Sequence, residues 1–425
     1  MRILDLTAIY PNVAVDFEGR SVAALDRALV AAGAEVTTLV LKPWMPKLLA
    51  QRLPAYRHLA VPATRRKDGG VDLHFVPYLR VPKLPERWRF GVNARLLARQ
   101  VLRTLGRHRL NGFDVVHVQG FPTAPPALLV AQALGLPLAV TWRDDPGHYD
   151  PATLHPLEQR VVRETAAWLV ISPIVERGLR PFLDGVSKAP VAVTPNAIDV
   201  AEIEGRLAEV GDAPGPDDRP WRGRLVGAGN LYRLKGFHEA LLALALLRDR
   251  GQVDWHYTIV GDGPYRNELE SLARELGLAE KVTFTGRLPH AQTLAHLRSA
   301  DLFLLPTWKE AFGIVFAEAA VCGVPGIGCS ENGPEMLIDH GETGLLVPPR
   351  QVEPLAEAIA DRLADPEGTR RMGRLAKARI RRFTWDRTAS LVLETLAPLT
   401  RSGSAELAGS QLGAAGRGPL AEVEG

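Results

Sequence analysis

Short, continuously apolar runs alternate with helical stretches along almost the whole chain. In the first half the runs fall at 3–9, 36–41, 73–76, 115–118, 138–141, 169–171 and 191–193. In the second half they fall at 224–228, 257–260, 282–285, 302–305, 326–328 and 345–347. Most do not alternate apolar with polar residues, which is how strands covered on both faces of a parallel sheet read. Between them lie segments with apolar residues three and four apart, such as 22–32, 237–250 and 266–276, the first stopping at Gly33. At 425 residues the chain is too long for one ordinary domain. The pattern therefore predicts two doubly wound α/β domains, 1–199 and 223–382. A linker at 200–222 carries the polar Pro/Gly run 212–218, and a tail at 400–425, rich in Gly, Ser and Ala, is expected to be disordered. Ligands of open α/β sheets bind beyond the carboxyl ends of the strands. Two such domains facing each other would make a cleft, with function in the loops that follow strands.

Composition narrows the class of protein. Apolar residues make up 46% and charged residues 23%, as in ordinary globular proteins, and a net charge of +3 does not point to nucleic acid. The opening Met1-Arg2-Ile3-Leu4-Asp5-Leu6 does not read as a secretory signal, and no apolar stretch approaches the roughly 18 residues of a membrane span. Cys322 and Cys329 flank an apolar Gly-Val-Pro-Gly turn and read as buried free thiols of a reducing, cytoplasmic compartment.

The strongest chemical signal is the run 304–319. A strand ends at Pro306, a loop carries Glu310, and a helix begins near Gly313 with Glu318 about one turn inside. A helix start of this kind presents free N–H groups to an anion, and Gly313 allows close approach. Carboxylates suit the paired hydroxyls of a sugar or ribose. Taken alone, Glu310 and Glu318 could equally be solvated surface acids. A second signal is Gly229-Asn230-Leu231-Tyr232-Arg233-Leu234-Lys235-Gly236, between a strand and a helix, where Lys235 and Arg233 could neutralise a diphosphate. Gly227 and Gly229 lack the third glycine of a dinucleotide fingerprint. A third is Gly261-Asp262-Gly263-Pro264, a sharp turn after a strand. The runs 333–335 and 341–349 read as structural turns. No histidine spacing resembles a metal set, there is no Asp-x-Asp, and neither Ser172 nor Ser330 stands in a Gly-x-Ser-x-Gly elbow.

Together these pieces resemble glycosyltransferase family 4, the retaining, GT-B-fold glycosyl transferases group 1, from about residue 3 to residue 396. The most specific element is Glu310 and Glu318 separated by seven residues. The order also matches: Asn-Leu and Lys-Gly within 230–236, Val-Gly-Asp-Gly-Pro at 260–264, Thr-Gly-Arg-Leu at 285–288, then Gly-Pro-Glu and Gly-Glu-Thr-Gly-Leu-Leu-Val-Pro-Pro. Val-Ile-Ser-Pro at 170–173 and Thr-Pro-Asn-Ala-Ile-Asp at 194–199 resemble further family segments. Phe383-Thr384-Trp385 resembles the start of a last helix, 383–399, that crosses back onto the first domain. The resemblance implies that Lys235 binds the donor diphosphate, with Gly229, Asn230 and Arg233 beside it. Glu318 would take the ribose hydroxyls and Glu310 the sugar hydroxyls. Backbone amides near Phe312, Gly313 and Ile314 would hold the phosphates, Gly261, Arg287 and Leu288 would lie at the base, and Gly19 would lie under the phosphates. Where many members carry Thr-x-His-Gly, this chain has Thr141-Trp142-Arg143-Asp144, placing Arg143 at the catalytic position. Glu18-Gly19 stands for the family's Gly-Gly, and Gly229-Asn230-Leu231 for its Gly-Arg-Leu.

The implied activity is transfer with retention from a UDP- or GDP-sugar to a glycan, lipid-linked or small-molecule acceptor, without metal or other cofactor. The competing class is a non-catalytic nucleotide-sugar binder or a regulatory protein of the same fold. The stretch 41–110 holds sixteen Lys and Arg against Asp68, Asp72 and Glu86, with Trp44, Tyr56, Tyr78 and Trp88 interleaved. Within 93–107, Leu96, Leu97, Val101, Leu102 and Leu105 share a side beside Arg95, Arg99, Arg103 and Arg107. That pattern fits peripheral contact with an anionic membrane face as well as a solvated helix packed on a sheet.

Overall fold

The computed structural model describes residues 1–11, 19–43, 65–78, 86–144, 146–209, 211 and 215–400. The expected tail beyond residue 400, Trp44, Tyr56 and the side chain of Trp88 lie outside the described residues. The chain divides into two compact units. The first comprises residues 1–171, 175–194 and 385 onward, and the second 172–174 and 195–384.

The first unit is built on eight strands: β1 (Arg2–Thr7), β2 (Glu35–Pro43), β3 (Arg65–Asp68), β4 (Val71–Tyr78), β5 (Val115–Gln119), β6 (Leu138–Trp142), β7 (Ala167–Val170) and β8 (Val191–Val193). They lie in the order β3-β4-β2-β1-β5-β6-β7-β8. All neighbours run parallel except β3, which pairs antiparallel with β4. β3 reads Arg-Arg-Lys-Asp and was not legible as a strand; charged residues are what a sheet uses to protect an open edge. β1 stops at Thr7 rather than residue 9, because the Thr7 hydroxyl turns the chain by bonding both the amide and the carbonyl of Ile9. One face of the sheet is covered by the helix Arg20–Ala31 and the helix Trp385–Leu396, with Ala389, Val392 and Leu396 packed among Leu25, Ala28 and Leu29. In the helix Glu86–His108, Ala94, Ala98, Val101 and Leu105 are buried on the inner side, while Arg95, Leu96, Arg99, Arg103 and Arg107 are exposed. Of the apolar stripe considered for a membrane, Val101 and Leu105 are core, Leu97 and Leu102 are half-buried and Leu96 is exposed.

The second unit holds β9 (Arg224–Ala228), β10 (His256–Val260), β11 (Val282–Gly286), β12 (Leu302–Leu304), β13 (Gly326–Cys329) and β14 (Gly344–Val347), all parallel, in the order β11-β10-β9-β12-β13-β14. Residues 200–209 of the expected linker are not a linker. They form the helix Val200–Glu209, capped by Asp199 and burying Ile203 and Leu207 against the helix His290–Ser299. The stretch that follows is fastened as well. Arg219 pairs with buried Asp301, whose other oxygen accepts from the amides of Arg222 and Arg224. Polar and Pro/Gly composition concealed these contacts, which are specific but use few apolar residues. Cys322 and Cys329 are free and buried, and burial pushes both thiols up to about 12.

At Gly236 the backbone is left-handed, with φ of +75°, and an added Cβ would lie 2.0 Å from the Pro306 carbonyl oxygen. Gly236→Ala is expected to destabilise the second unit by about 2 kcal/mol or more, from left-handed strain plus the clash. A urea unfolding midpoint unchanged from wild type would contradict this packing.

Candidate donor site

In the second sheet β10 and β11 lie to one side of β9, and β12, β13 and β14 to the other. The strand order thus switches between β9 and β12, and the crevice beyond their carboxyl ends is where open sheets take ligands. The loop after β9 is tied to the loop after β10: Gly229 donates its N–H to the Val260 carbonyl at 3.0 Å, and Leu231 to that of Asp262 at 3.0 Å. It then makes a short 3-10 turn at Arg233–Lys235. On its other side, Trp308 N donates to the Leu234 carbonyl at 3.0 Å, which fastens the loop after β12 alongside. Across these two loops Lys235 Nζ donates to Glu310 Oε2 at 2.6 Å, with both side chains about one-fifth exposed. An ammonium keeps further N–H groups and a carboxylate further lone pairs beyond that bond.

Glu310 is held from behind by a residue that the sequence did not single out. Its N–H donates to Asn332 Oδ1 at 2.7 Å, and Asn332 Nδ2 donates to the Thr307 carbonyl at 2.6 Å. The Gly333 N–H returns to the Glu310 carbonyl at 2.9 Å. Gly333 must be glycine here, since a Cβ would stand 2.5 Å from Phe312 N. Ser172 Oγ donates to the Ala311 carbonyl at 2.6 Å. The loop then passes through buried Phe312, set edge-on to Phe383, into the helix Ile314–Val321. Gly313 precedes that helix with φ of +97°, and no side chain caps it. Phe316 and Ala317 bond back to the Gly313 carbonyl, so the amides of exposed Ile314 and of Val315 have no intrahelical partner.

Glu318 lies inside the same helix, buried, and its Oε1 accepts from His290 Nε2 at 2.8 Å. His290 was not among the expected site residues. Arg287 Nη2 reaches Asn230 Oδ1 at 3.4 Å, so the loops after β9 and β11 meet as well. Gly261 packs directly on the Gly229 carbonyl, Leu288 is half-buried, and Arg233 is exposed on its turn. Every expected residue except Gly19 and Arg143 thus lies in the second unit, with Lys235 meeting Glu310 and Asn230 meeting Arg287.

Gly19 begins the helix Arg20–Ala31 with φ of +75°. Arg143 follows β6 and donates to Gln119 Oε1. Gln119 Nε2 in turn donates to Asp5 Oδ2 at 2.7 Å and Asp26 Oδ1 at 2.9 Å. Thr38 Oγ1 donates to Asp26 Oδ2 at 2.7 Å, and His117 Nδ1 lies 3.1 Å from Asp5 Oδ1. This cluster occupies the first sheet's own switch point, between β1 and β5. Burial and the neighbouring Asp5 hold the Asp26 carboxyl well above the ordinary value of 3.8. Burial pushes the Arg143 guanidinium down to about 10, against the pull of Asp5 and Asp26.

Comparison with known proteins agrees with this fold. A family model described as glycosyl transferases group 1 matches residues 223–379, and one described as glycosyl transferase 4-like domain matches residues 19–197. The chain is 29% identical over 411 residues to a glycogen synthase of Mycobacterium tuberculosis, covering 92% of this chain and 93% of that one. The fold is similar to that of sucrose-phosphate synthase from Thermosynechococcus elongatus, with a TM-score of 0.69, 20% identity and coverage of 98% and 100%. It is also similar to Anabaena HepE in complex with UDP-glucose, with a TM-score of 0.63, 20% identity and coverage of 93% and 99%.

The raised Asp26 carboxyl has a consequence for stability. A carboxyl whose folded value lies above its unfolded value stabilises the fold while protonated, and that contribution is lost as pH rises from about 4 through the folded value. Asp26→Asn keeps a neutral group at all pH. Its stability relative to wild type is expected to improve between pH 4 and pH 7, read as the difference in urea midpoints. A difference that stays constant or moves the other way would mean that Asp26 folds as a carboxylate.

Proposed function

The chain belongs to the glycosyl transferases group 1 of glycosyltransferase family 4, and on that premise we propose that it moves a hexosyl group from a nucleotide-sugar with retention and without a metal ion. It is a glycosyltransferase of the hexosyltransferase type with the GT-B fold. The donor, the stereochemistry and the acceptor are the proposed parts. The observation that carries the reading is the Lys235–Glu310 contact at the switch point, beside the uncapped helix start at Gly313 and with Glu318 in that same helix.

In this reading Lys235 and the amides at Phe312, Gly313 and Ile314 stabilise the diphosphate as it leaves. Glu310 takes sugar hydroxyls and Glu318 the ribose. Gly229, Asn230 and Arg233 border the phosphates, and Gly261, Arg287 and Leu288 border the base. The bond from the sugar's anomeric carbon to the diphosphate oxygen breaks. A bond to the acceptor oxygen forms on the same face, and the acceptor proton passes to the departing phosphate. The protein contributes positioning and charge stabilisation. UDP-glucose is the first donor to try, because a protein of similar fold is solved with it. A glycan is the first acceptor, because a full-length relative is a glycogen synthase. The roles that the resemblance implies for Gly19 and Arg143 stand as proposals resting on the sequence.

Glu310→Ala is expected to lower transfer about a hundredfold or more with the fold intact, as for loss of a group that acts on the reacting centre. Wild-type transfer is expected to survive EDTA. Normal turnover by the folded variant would remove Glu310 from the donor site, and EDTA loss restored by magnesium or manganese would sink the metal-free path. Donor binding with neither transfer nor donor hydrolysis would favour the non-catalytic alternative.

The acceptor can be carried on a lipid. The exposed Arg95, Arg99, Arg103 and Arg107 lie at successive four-residue steps along one helix, a cationic row suited to an anionic surface. With Val101 and Leu105 buried, such docking rests on charge. Sedimentation with anionic vesicles is expected at low salt and lost at high salt. No binding at low salt would favour an acceptor in solution.

A further inference from the structure

We infer that His290 is a positioning residue for the ribose: its N–H fixes the Glu318 carboxylate so that the remaining oxygen meets the vicinal diol, and discrimination against 2′-deoxyribose depends on that bond. The inference rests on the reading of Glu318 as the ribose carboxylate.

Glu318 sits in a helix whose other residues are Ile, Val, Phe, three Ala and Val. Its side chain is only 10% exposed. A carboxylate so enclosed needs donors, because burying one without them is costly. Among the described side chains, the hydrogen bond to it comes from His290. A carboxylate only accepts, so the imidazole donates. That engages Oε1 and leaves Oε2 for a ligand.

The backbone keeps the imidazole in place. His290 opens the helix His290–Ser299 immediately after the turn 287–289 that leaves β11. That helix packs on the helix Ile314–Val321. One turn beyond the His290–Glu318 bond, Cys322 Sγ meets the Leu294 carbonyl at 3.9 Å. The two helices are thus joined at successive turns, which fixes the distance from the imidazole to the carboxylate. A free glutamate has three rotatable bonds and would present its oxygens in several directions. Held at one oxygen by a charge-assisted bond, it presents the other in one. Two hydroxyls on one ring require that fixed direction, and a 2′-deoxy ring offers only one of them.

The test is calorimetry with UDP and 2′-deoxy-UDP, GDP and 2′-deoxy-GDP, and inorganic pyrophosphate. Wild-type protein is expected to prefer the ribonucleotide of its better-bound pair by about tenfold, the worth of one buried hydrogen bond to a charged group. His290→Leu is expected to cut that preference to about twofold while pyrophosphate binding stays put, and His290→Gln, which keeps an N–H donor, to restore most of it. A folded His290→Leu protein with the wild-type preference would overturn the inference. So would equal weakening of every ligand, pyrophosphate included, which would mark a general packing role. Glu318→Ala separates the two layers. If Glu318→Ala leaves the preference intact, or wild type has none, the ribose reading of Glu318 itself fails. If Glu318→Ala abolishes the preference and His290→Leu does not, only the role of His290 fails. Should His290→Leu not fold, His290→Ala takes its place.

Discussion

The switch-point loops of the second unit depend on one carboxamide. Asn332 receives the Glu310 amide on its oxygen and gives its nitrogen to the Thr307 carbonyl, so a single buried side chain spans the loop after β12. Both its polar ends are satisfied, which makes it rigid as well as stabilising. The Gly333 amide next to it closes a second bond onto the same loop. With the loop so fixed, Glu310 has one place to point, and Lys235 meets it there. The helix start at Gly313 inherits its position from the same anchorage. A loop at the switch point has thereby been given the rigidity usually found in a strand.

The two sheets use their switch points differently. In the second unit the charged groups sit on loops past the strand ends and remain partly exposed. In the first unit Asp5, His117 and Gln119 lie in the strands themselves and are fully enclosed, with Arg143 reaching into the same cluster. Polar groups placed that deep are expensive unless each finds a partner. The chain of bonds from Thr38 through Asp26 and Gln119 to Arg143 supplies most of those partners, while Asp5 Oδ1 and His117 Nδ1 face each other at 3.1 Å without a hydrogen bond between them.

Strands and the main chemical motif were legible because their signals are local. Thirteen apolar runs announced thirteen of the fourteen strands described, and the charged edge strand β3 escaped because it buries little. Glu310 and Glu318 could be found by spacing around a helix start. Asn332 could not, because its value lies in reaching a loop more than twenty residues away in sequence. His290 carried no local signal, because its partner Glu318 lies 28 residues away and meets it only where two helices pack. Asp26 stood inside an amphipathic helix, where one more polar residue is unremarked; burial against Thr38 and Gln119 is a tertiary fact. The helix Val200–Glu209 failed for the converse reason. Its two buried residues were too few to be heard above the Pro and Gly that follow.

The first unit is closed by residues from the far end of the chain. Ala389, Val392 and Leu396 complete a core whose other members come almost entirely from the first 170 residues. During synthesis, the whole second unit must leave the ribosome before that helix becomes available. Until then Leu25, Ala28 and Leu29 lack their cover, an apolar face awaiting its last piece. The second unit, by contrast, can finish its sheet as soon as β14 and the helices behind it have emerged. The part of the chain made first is therefore the part that matures last, and its early exposure is a natural point for a chaperone to act.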